Sequence, residues 1–227
     1  QSGGIVLALK RTLEERGIAT GMLVTSGNET GLTAADYIAY YVQQPSVRVI
    51  VAYLEAIHDS KAFLLALQSA RAAGKPVVIF KLGASEEGRA AAAAHTGALA
   101  GSVEAFDAVA GAAGAIRARN MDDLVETVEF LVHAPKPNGN RLAAITYSGG
   151  MRGLIVDAAA AHGLTFPALS DQSRELLQPF MQPGAIVNNP LDGGLGAAGG
   201  VDVFLKCVDT YLNDPNFDIL LLQEELP

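Results

Sequence analysis

Three groups of residues in this chain have the types and spacing to do chemistry. The first is a single histidine in a run of small side chains, Ala94-His95-Thr96-Gly97-Ala98-Leu99-Ala100-Gly101-Ser102. A histidine that only fills a core is normally surrounded by bulk. Here alanine and glycine leave room for something large to approach, such as a phosphate or a nucleotide. The second group is a pair of Ser-Gly-Gly turns, Ser2-Gly3-Gly4 and Ser148-Gly149-Gly150, each leading into a helical pattern. Such a turn can cradle an anion, because the first N–H groups of a helix have no intrahelical partner and glycine permits close backbone approach. The same turns also read as ordinary serine N-caps. The third is Glu55, which follows an apolar strand-like run in Tyr53-Leu54-Glu55-Ala56.

As a nucleophile, His95 needs a group to hold its second ring nitrogen and raise its basicity. A carboxylate just past the C-terminal end of a parallel strand is placed for that role, since ligands collect at that rim of an open sheet. Glu55 is the candidate, with a solvated loop acid as its alternative reading. The loop expected at Gly83–Ala94 also follows a strand, so His95 and Glu55 are expected on one rim. No second His, Cys or carboxylate lies at ligand spacing from His95, so no metal site is expected there. His58, beside Glu55, suits a loop position as well as the rim. His162 suits a helix C-terminus, where the dipole favours a cation. In Asn188-Asn189-Pro190-Leu191-Asp192-Gly193-Gly194, the proline and glycines read as a sharp turn exposing Asn and Asp side chains.

The elements that must position these residues alternate along the chain. Strand candidates are 22–25, 47–53, 76–81, 115–117, 142–147 and 218–222. The runs Val49-Ile50-Val51-Ala52-Tyr53 and Val77-Val78-Ile79-Phe80 are nearly continuous in apolar residues, as strands covered on both faces should be. Helical patterns fall at 4–16, 33–43, 60–73, 102–111, 120–132, 150–161, 170–177 and 201–211. The alternation implies an α/β fold with open parallel sheets and right-handed crossovers. His133-Ala134-Pro135-Lys136-Pro137-Asn138-Gly139-Asn140 reads as a linker. It separates a first domain, 1–134, from a second, 141–227, short enough to be a truncated copy. The Ser-Gly-Gly repeat suggests that the domains are related. In the second, a strand leads into the turn; in the first, the equivalent strand is expected ahead of Gln1, so the chain reads as part of a longer protein.

Composition narrows the function classes. The 227 residues carry a formal net charge of −8, which disfavours a nucleic-acid binder. Gly, Pro or a charge interrupts every long apolar run, so no membrane span is expected. Cys207 is the only cysteine, which leaves no disulfide framework; its setting is that of a buried helix face.

Taken together, these residues resemble the NDP-forming acyl-CoA synthetases, the group of succinyl-CoA synthetase and the ADP-forming acetyl-CoA synthetases. The resemblance is carried, in family order, by Gln1-Ser2-Gly3-Gly4, Ser26-Gly27-Asn28-Glu29, Tyr53-Leu54-Glu55 and Gly74-Lys75-Pro76-Val77-Val78. It continues through Lys81-Leu82-Gly83-Ala84-Ser85-Glu86, His95-Thr96-Gly97-Ala98-Leu99-Ala100-Gly101-Ser102, Ser148-Gly149-Gly150 and Asn189-Pro190-Leu191-Asp192. It implies two flavodoxin-like domains of a larger ligase. It also implies phosphorylation of His95, Glu55 as its carboxylate partner, and phosphate held at Ser2-Gly3-Gly4 and Ser148-Gly149-Gly150. Thr96, Gly97 and Gly101 would then lie in a swinging loop.

The implied reaction interconverts acyl-CoA, phosphate and ADP with a carboxylic acid, CoA and ATP. CoA and ATP/ADP with Mg are substrates, the nucleotide site lies outside this chain, and no tightly bound cofactor is expected. Expected partners are CoA-binding and ATP-grasp domains, in cis or as another subunit, within an oligomer in the cytoplasm. Two other readings compete. One is a regulatory CoA- or nucleotide-binding region of a protein acetyltransferase. The other is a non-catalytic scaffold subunit of an acyl or carbamoyl transfer system. The residues around Asn188 and Gly193-Gly194 leave the acyl substrate open.

Overall fold

In a computed structural model, the structure describes residues 2–88, 90–91, 103–181, 186–192 and 200–223. The chain divides into two compact units, 1–135 and 136–227. Each is an α/β unit with a parallel sheet.

The first unit contains α1 (Gly3–Glu15), α2 (Ala34–Val42), β1 (Ile50–Leu54), α3 (Ser60–Ala72), β2 (Val77–Lys81), α4 (Val103–Ala112), β3 (Ala115–Ala118) and α5 (Met121–His133). Its sheet has the order β1-β2-β3 and is parallel throughout. β1 and β2 are in register from Ile50 with Val77 to Leu54 with Lys81.

The period-two alternation of a strand divides the core in two. Val77 and Ile79 of β2 face one cluster, with Ile50, Leu54, Ile38, Phe63, Leu67 and Ala70. Val78 faces the other, with Leu9, Leu13, Ala118, Leu124, Val125 and Val128. Helices α2 and α3 thus cover one face, and α1 and α5 the other. Each fully buried aliphatic or aromatic side chain contributes about 1.5–3 kcal/mol. Side chains start the helices where the pattern expects them. Asp59 Oδ1 accepts from the Ala62 amide at 2.9 Å, and Asn120 Oδ1 accepts from the Asp123 amide at 2.8 Å.

One expected strand does not form. Residues 22–25 have no strand pairing, and Met22, Leu23 and Val24 are 42%, 42% and 37% exposed. The β-branched composition suits a strand, but a strand is defined by its partner. The sheet pairing of β1 is with β2 alone, so none of the described strands lies beside 22–25 to complete a ladder.

The second unit contains β4 (Leu142–Thr146), α6 (Gly149–Ala161), α7 (Asp171–Leu177), β5 (Leu191–Asp192), α8 (Gly200–Leu212) and β6 (Ile219–Gln223). Its sheet has the order β5-β4-β6, again parallel. Every residue of β4 is buried, as a central strand requires. Ala143 and Ile145 pack with Leu169, Leu177, Val187, Leu191, Cys207 and Tyr211. The Cys207 thiol is buried as expected, and burial raises its pKa. The unit is tied at its opposite end by Arg141 and Asp218, a bidentate pair with contacts of 2.9 and 2.7 Å. Gly139 lies directly beneath the Asp218 carboxylate, where a Cβ would collide with Oδ2.

Candidate functional site

The C-terminal rim of the first sheet is built on charges. Glu55 follows the last residue of β1 and is only 4% exposed, so it is not a solvated loop acid. Lys81, the last residue of β2, is 3% exposed. The register pairs Lys81 with Leu54, which puts the lysine side chain within reach of the next peptide. Its Nζ donates to the Glu55 carbonyl at 2.7 Å and to the Leu82 carbonyl at 2.8 Å. The Leu82 amide donates in turn to the Leu54 carbonyl at 2.9 Å. Burial, reinforced by the Arg117 charge, lowers the Lys81 pKa; the Glu55 carboxylate opposes that shift. Burial, then the Glu55 charge, raises the Tyr53 pKa.

Arg117 supports this rim from β3. Its guanidinium donates to the carbonyls of Lys81 at 2.8 Å and Ala118 at 2.9 Å. Nε lies 3.0 Å from Asp107 Oδ1 without forming an aligned hydrogen bond, so that contact is an ion pair. The guanidinium lies over Phe80, which stacks on Tyr53 with ring centres 5.5 Å apart. Sequence reasoning gave neither Lys81 nor Arg117 a role in the site, although Lys81 opens one of the motifs that carry the resemblance. The signal available was a cation ending the otherwise apolar run Val77-Val78-Ile79-Phe80-Lys81. His58 is exposed beyond the rim.

Ser2 and Ser148 occupy equivalent positions. Each is the N-cap residue of a 13-residue helix, in extended backbone conformation, and neither makes a side-chain capping bond. Both serine carbonyls accept from the amide four residues on, at 3.2 Å. The expected alternative of a simple hydroxyl N-cap is therefore not realised. A Cβ at Gly4 would meet nothing within 4 Å, and one at Gly150 would meet only Ser148 Oγ at 3.6 Å. Packing does not require glycine at either position. Gly3, Gly4, Gly149 and Gly150 are all exposed, which leaves both helix starts open to an anion.

Around the second turn the rim is built on amides. Asp192, at the end of β5, places Oδ2 3.4 Å from where a Gly149 Cβ would stand. The Asn188 amide is best oriented with its nitrogen towards the Pro190 carbonyl, 2.9 Å away, and its oxygen towards Arg152, 3.2 Å away. Tyr211 donates to the Asn188 carbonyl at 2.7 Å, and burial raises its phenol pKa strongly. Asn189 does not point into solvent as the turn pattern suggested. Its Oδ1 accepts from the Ala144 amide at 3.0 Å, and its Nδ2 donates to the carbonyls of Leu142 and Pro167. The side chain closes the ladder of β4 where no strand residue does.

His95, Thr96, Gly97 and Gly101 lie outside the described residues. So do Gly193 and Gly194. The segment expected as a loop is not one throughout: residues 86–88 and 90–91 are helical, and the Gly88 amide donates to Ser85 Oγ at 2.9 Å at the start of that turn. Among the described residues, no group of three His, Cys, Asp or Glu is placed to hold a metal ion.

Comparison with known proteins agrees with this architecture. Residues 1–131 match the family model described as succinyl-CoA ligase like flavodoxin domain. The alpha subunit of acetate–CoA ligase [ADP-forming] II of Pyrococcus furiosus is 32% identical over 97% of this chain and 48% of its own length. The 4-hydroxybutyrate–CoA ligase [ADP-forming] of Nitrosopumilus maritimus is 31% identical over 85% of this chain and 28% of its own length. A solved structure from Ca. Korarchaeum cryptofilum superposes with a TM-score of 0.87 at 27% identity. That protein is a dinucleotide forming acetyl-coenzyme A synthetase 1 in complex with phosphate and ADP; the match covers 98% of this chain and 48% of it. This chain thus spans less than half the length of each of these relatives.

Proposed function

Because the chain belongs to the succinyl-CoA ligase-like flavodoxin-domain family, we propose that it is the core of an NDP-forming acyl-CoA synthetase working through a phosphohistidine. The observation that carries the reading is Glu55 itself, buried at the sheet rim with its main-chain carbonyl bonded to Lys81, the last residue of the strand that leads towards His95. Phosphate attacks the acyl-CoA carbonyl, giving acyl phosphate and expelling CoA thiolate. The neutral His95 imidazole then attacks phosphorus, the phosphorus–oxygen bond to the acyl group breaks, and the carboxylate leaves. Finally a β-phosphate oxygen of ADP attacks phosphohistidine, giving ATP and free imidazole. The reverse direction activates an acid.

Phosphoryl transfer depends chiefly on positioning and charge stabilisation. Glu55 accepts a hydrogen bond from the second ring N–H of His95 and stabilises the cationic phosphoimidazole. The helix starts at Ser2-Gly3-Gly4 and Ser148-Gly149-Gly150 hold the phosphate in its alternative sites. Thr96, Gly97 and Gly101 give the loop its swing. CoA-binding and ATP-grasp domains complete the enzyme in cis or as another subunit of an oligomer. ATP or ADP arrives with Mg at the ATP-grasp site, and the reaction belongs in the cytoplasm with those substrates.

The test is incubation of the full-length protein with γ-labelled ATP and Mg. The expected result is acid-labile, base-stable phosphate on His95, absent in His95→Asn. Turnover by a His95→Asn enzyme at the wild-type rate would falsify the reading.

A further inference from the structure

Lys81 has no part in the reaction as written, yet it is the most deeply buried lysine among the described residues. Burying an ammonium is unfavourable unless its donors are satisfied, and an apolar residue of similar volume is often as stable or more so. The adjacent Arg117 makes the location worse for a second cation. Stability alone gives little reason for a lysine here.

The bonds it makes suggest another reason. Both carbonyls that accept from Nζ belong to the main chain, one on each of two segments that leave the sheet side by side. Glu55 begins the segment after β1. Leu82 begins the segment after β2, which leads through Gly83 towards His95. The last main-chain bond between the two segments runs from the Leu82 amide to the Leu54 carbonyl, and the paired residues end at Leu54 and Lys81, so the carbonyls of Glu55 and Leu82 lie just past the ladder. Charge-assisted hydrogen bonds from one ammonium to both carbonyls extend the coupling one residue beyond the ladder.

We propose that Lys81 is a positioning residue, tying the Glu55 peptide to the Leu82 peptide so that the Glu55 carboxylate is held at the rim in the orientation that the transfer needs. The inference rests on the reading of Glu55 as the partner of His95. Misplacement of a reacting group by about 1 Å lowers a rate by roughly 10²-fold. Methionine fills the slot without charge or donors.

The experiment is a double-mutant cycle in the full-length enzyme, with Lys81→Met, Glu55→Gln and the double variant. Initial rates of His95 phosphorylation by ATP are measured together with thermal midpoints. Lys81→Met is expected to lower kcat by about 10–10²-fold, with KM for ATP changed less than about two-fold. Its thermal midpoint stays at or above that of the wild type. The double variant matches Glu55→Gln alone, because Lys81 acts only through that carboxylate. An unchanged kcat in Lys81→Met, or losses that multiply in the double variant, overturns the proposal. A fall in kcat only in proportion to lost folded protein does so too. Should Lys81→Met fail to fold, Lys81→Leu, likewise without charge or donors, takes its place in the same cycle with the same outcomes. If Glu55→Gln retains the wild-type rate, the Glu55–His95 reading falls and this inference falls with it. If Glu55→Gln is slow and Lys81→Met is not, only this inference falls.

Discussion

The two units carry the same signature, Ser-Gly-Gly opening a 13-residue helix, on rims of opposite character. The rim of the first is charged and buried: a carboxylate, an ammonium and a guanidinium meet where three strands end. The rim of the second is mostly neutral, with half-buried Asn188 and Asn189 and buried Tyr211 joined by amide and hydroxyl bonds. Thr146, at the end of β4, donates to Gln223 Oε1 at 2.5 Å. Buried charges suit a group whose own charge changes, as an imidazole does on phosphorylation. A neutral network suits a ligand that is held and released unchanged. The shared turn does not make the two regions alike; the side chains behind it decide what each can do.

The largest effect expected from this contrast is on rate. Glu55→Gln should slow His95 phosphorylation by about 10²–10⁴-fold, the range of a positioned acid–base group. Asp192→Asn, the closest acid on the second rim, should slow it by less than about 10-fold. Equal losses, measured by single-turnover labelling, would erase the distinction.

The next effect is on stability against pH, where each unit has its own buried group. In the second, burial would raise the Asp214 pKa, but hydrogen bonds from Ser173, Asn216 and Ser170 outweigh it and lower the value below 3.8. Its stabilisation is therefore complete above 3.8 and lost as pH falls through the lowered native value. In the first, the Lys81 pKa lies below its ordinary 10.5. Between the lowered value and 10.5 the unfolded chain holds more protons, so stability rises with pH in that window. Asp214→Asn should flatten the acid limb and lower stability by about 1.5–3 kcal/mol through its charged hydrogen bonds. Lys81→Met should remove the alkaline rise only. Denaturant titrations across pH, read for each unit, separate the two.

The smallest effect tests whether both turns serve a ligand. Gly4→Ala and Gly150→Ala meet no obstruction, and alanine favours a helix over glycine by up to about 1 kcal/mol. Each variant should be at least as stable as the wild type yet bind inorganic phosphate more weakly in calorimetry. A stabilised variant with unchanged phosphate affinity would return that turn to a purely structural role.

Much of this was legible in the residues. The apolar runs around Ile50 and Val77 have one composition that suits both faces of a parallel sheet, and they form β1 and β2. Glu55 could be located because it directly follows such a run. Residues 22–25 misled for the complementary reason: their types favour a strand, but pairing is a property of neighbours. The two-residue β5 is too short for periodicity to register. Lys81 and Arg117 were missed because a cation after an apolar run looks like the run's polar boundary. Only the register reveals that their side chains turn back under the rim. Asn189 bonds to Ala144, 45 positions away, a relation that no local pattern encodes.

That asparagine has a consequence for the acid on its own rim. Asn189 stands in for a length of main chain beside β4, ahead of the point where β5 begins to pair. Three residues after Asn189, Asp192 stands opposite Gly149. The aim of the carboxylate is thus set upstream, by the reach of a single side chain. The change Asn189→Gln would make the tether one methylene too long. The change Asn189→Asp would turn an oxygen onto two carbonyls. The tether therefore admits almost no other length or polarity. Re-aiming Asp192 requires no change at Asp192 itself.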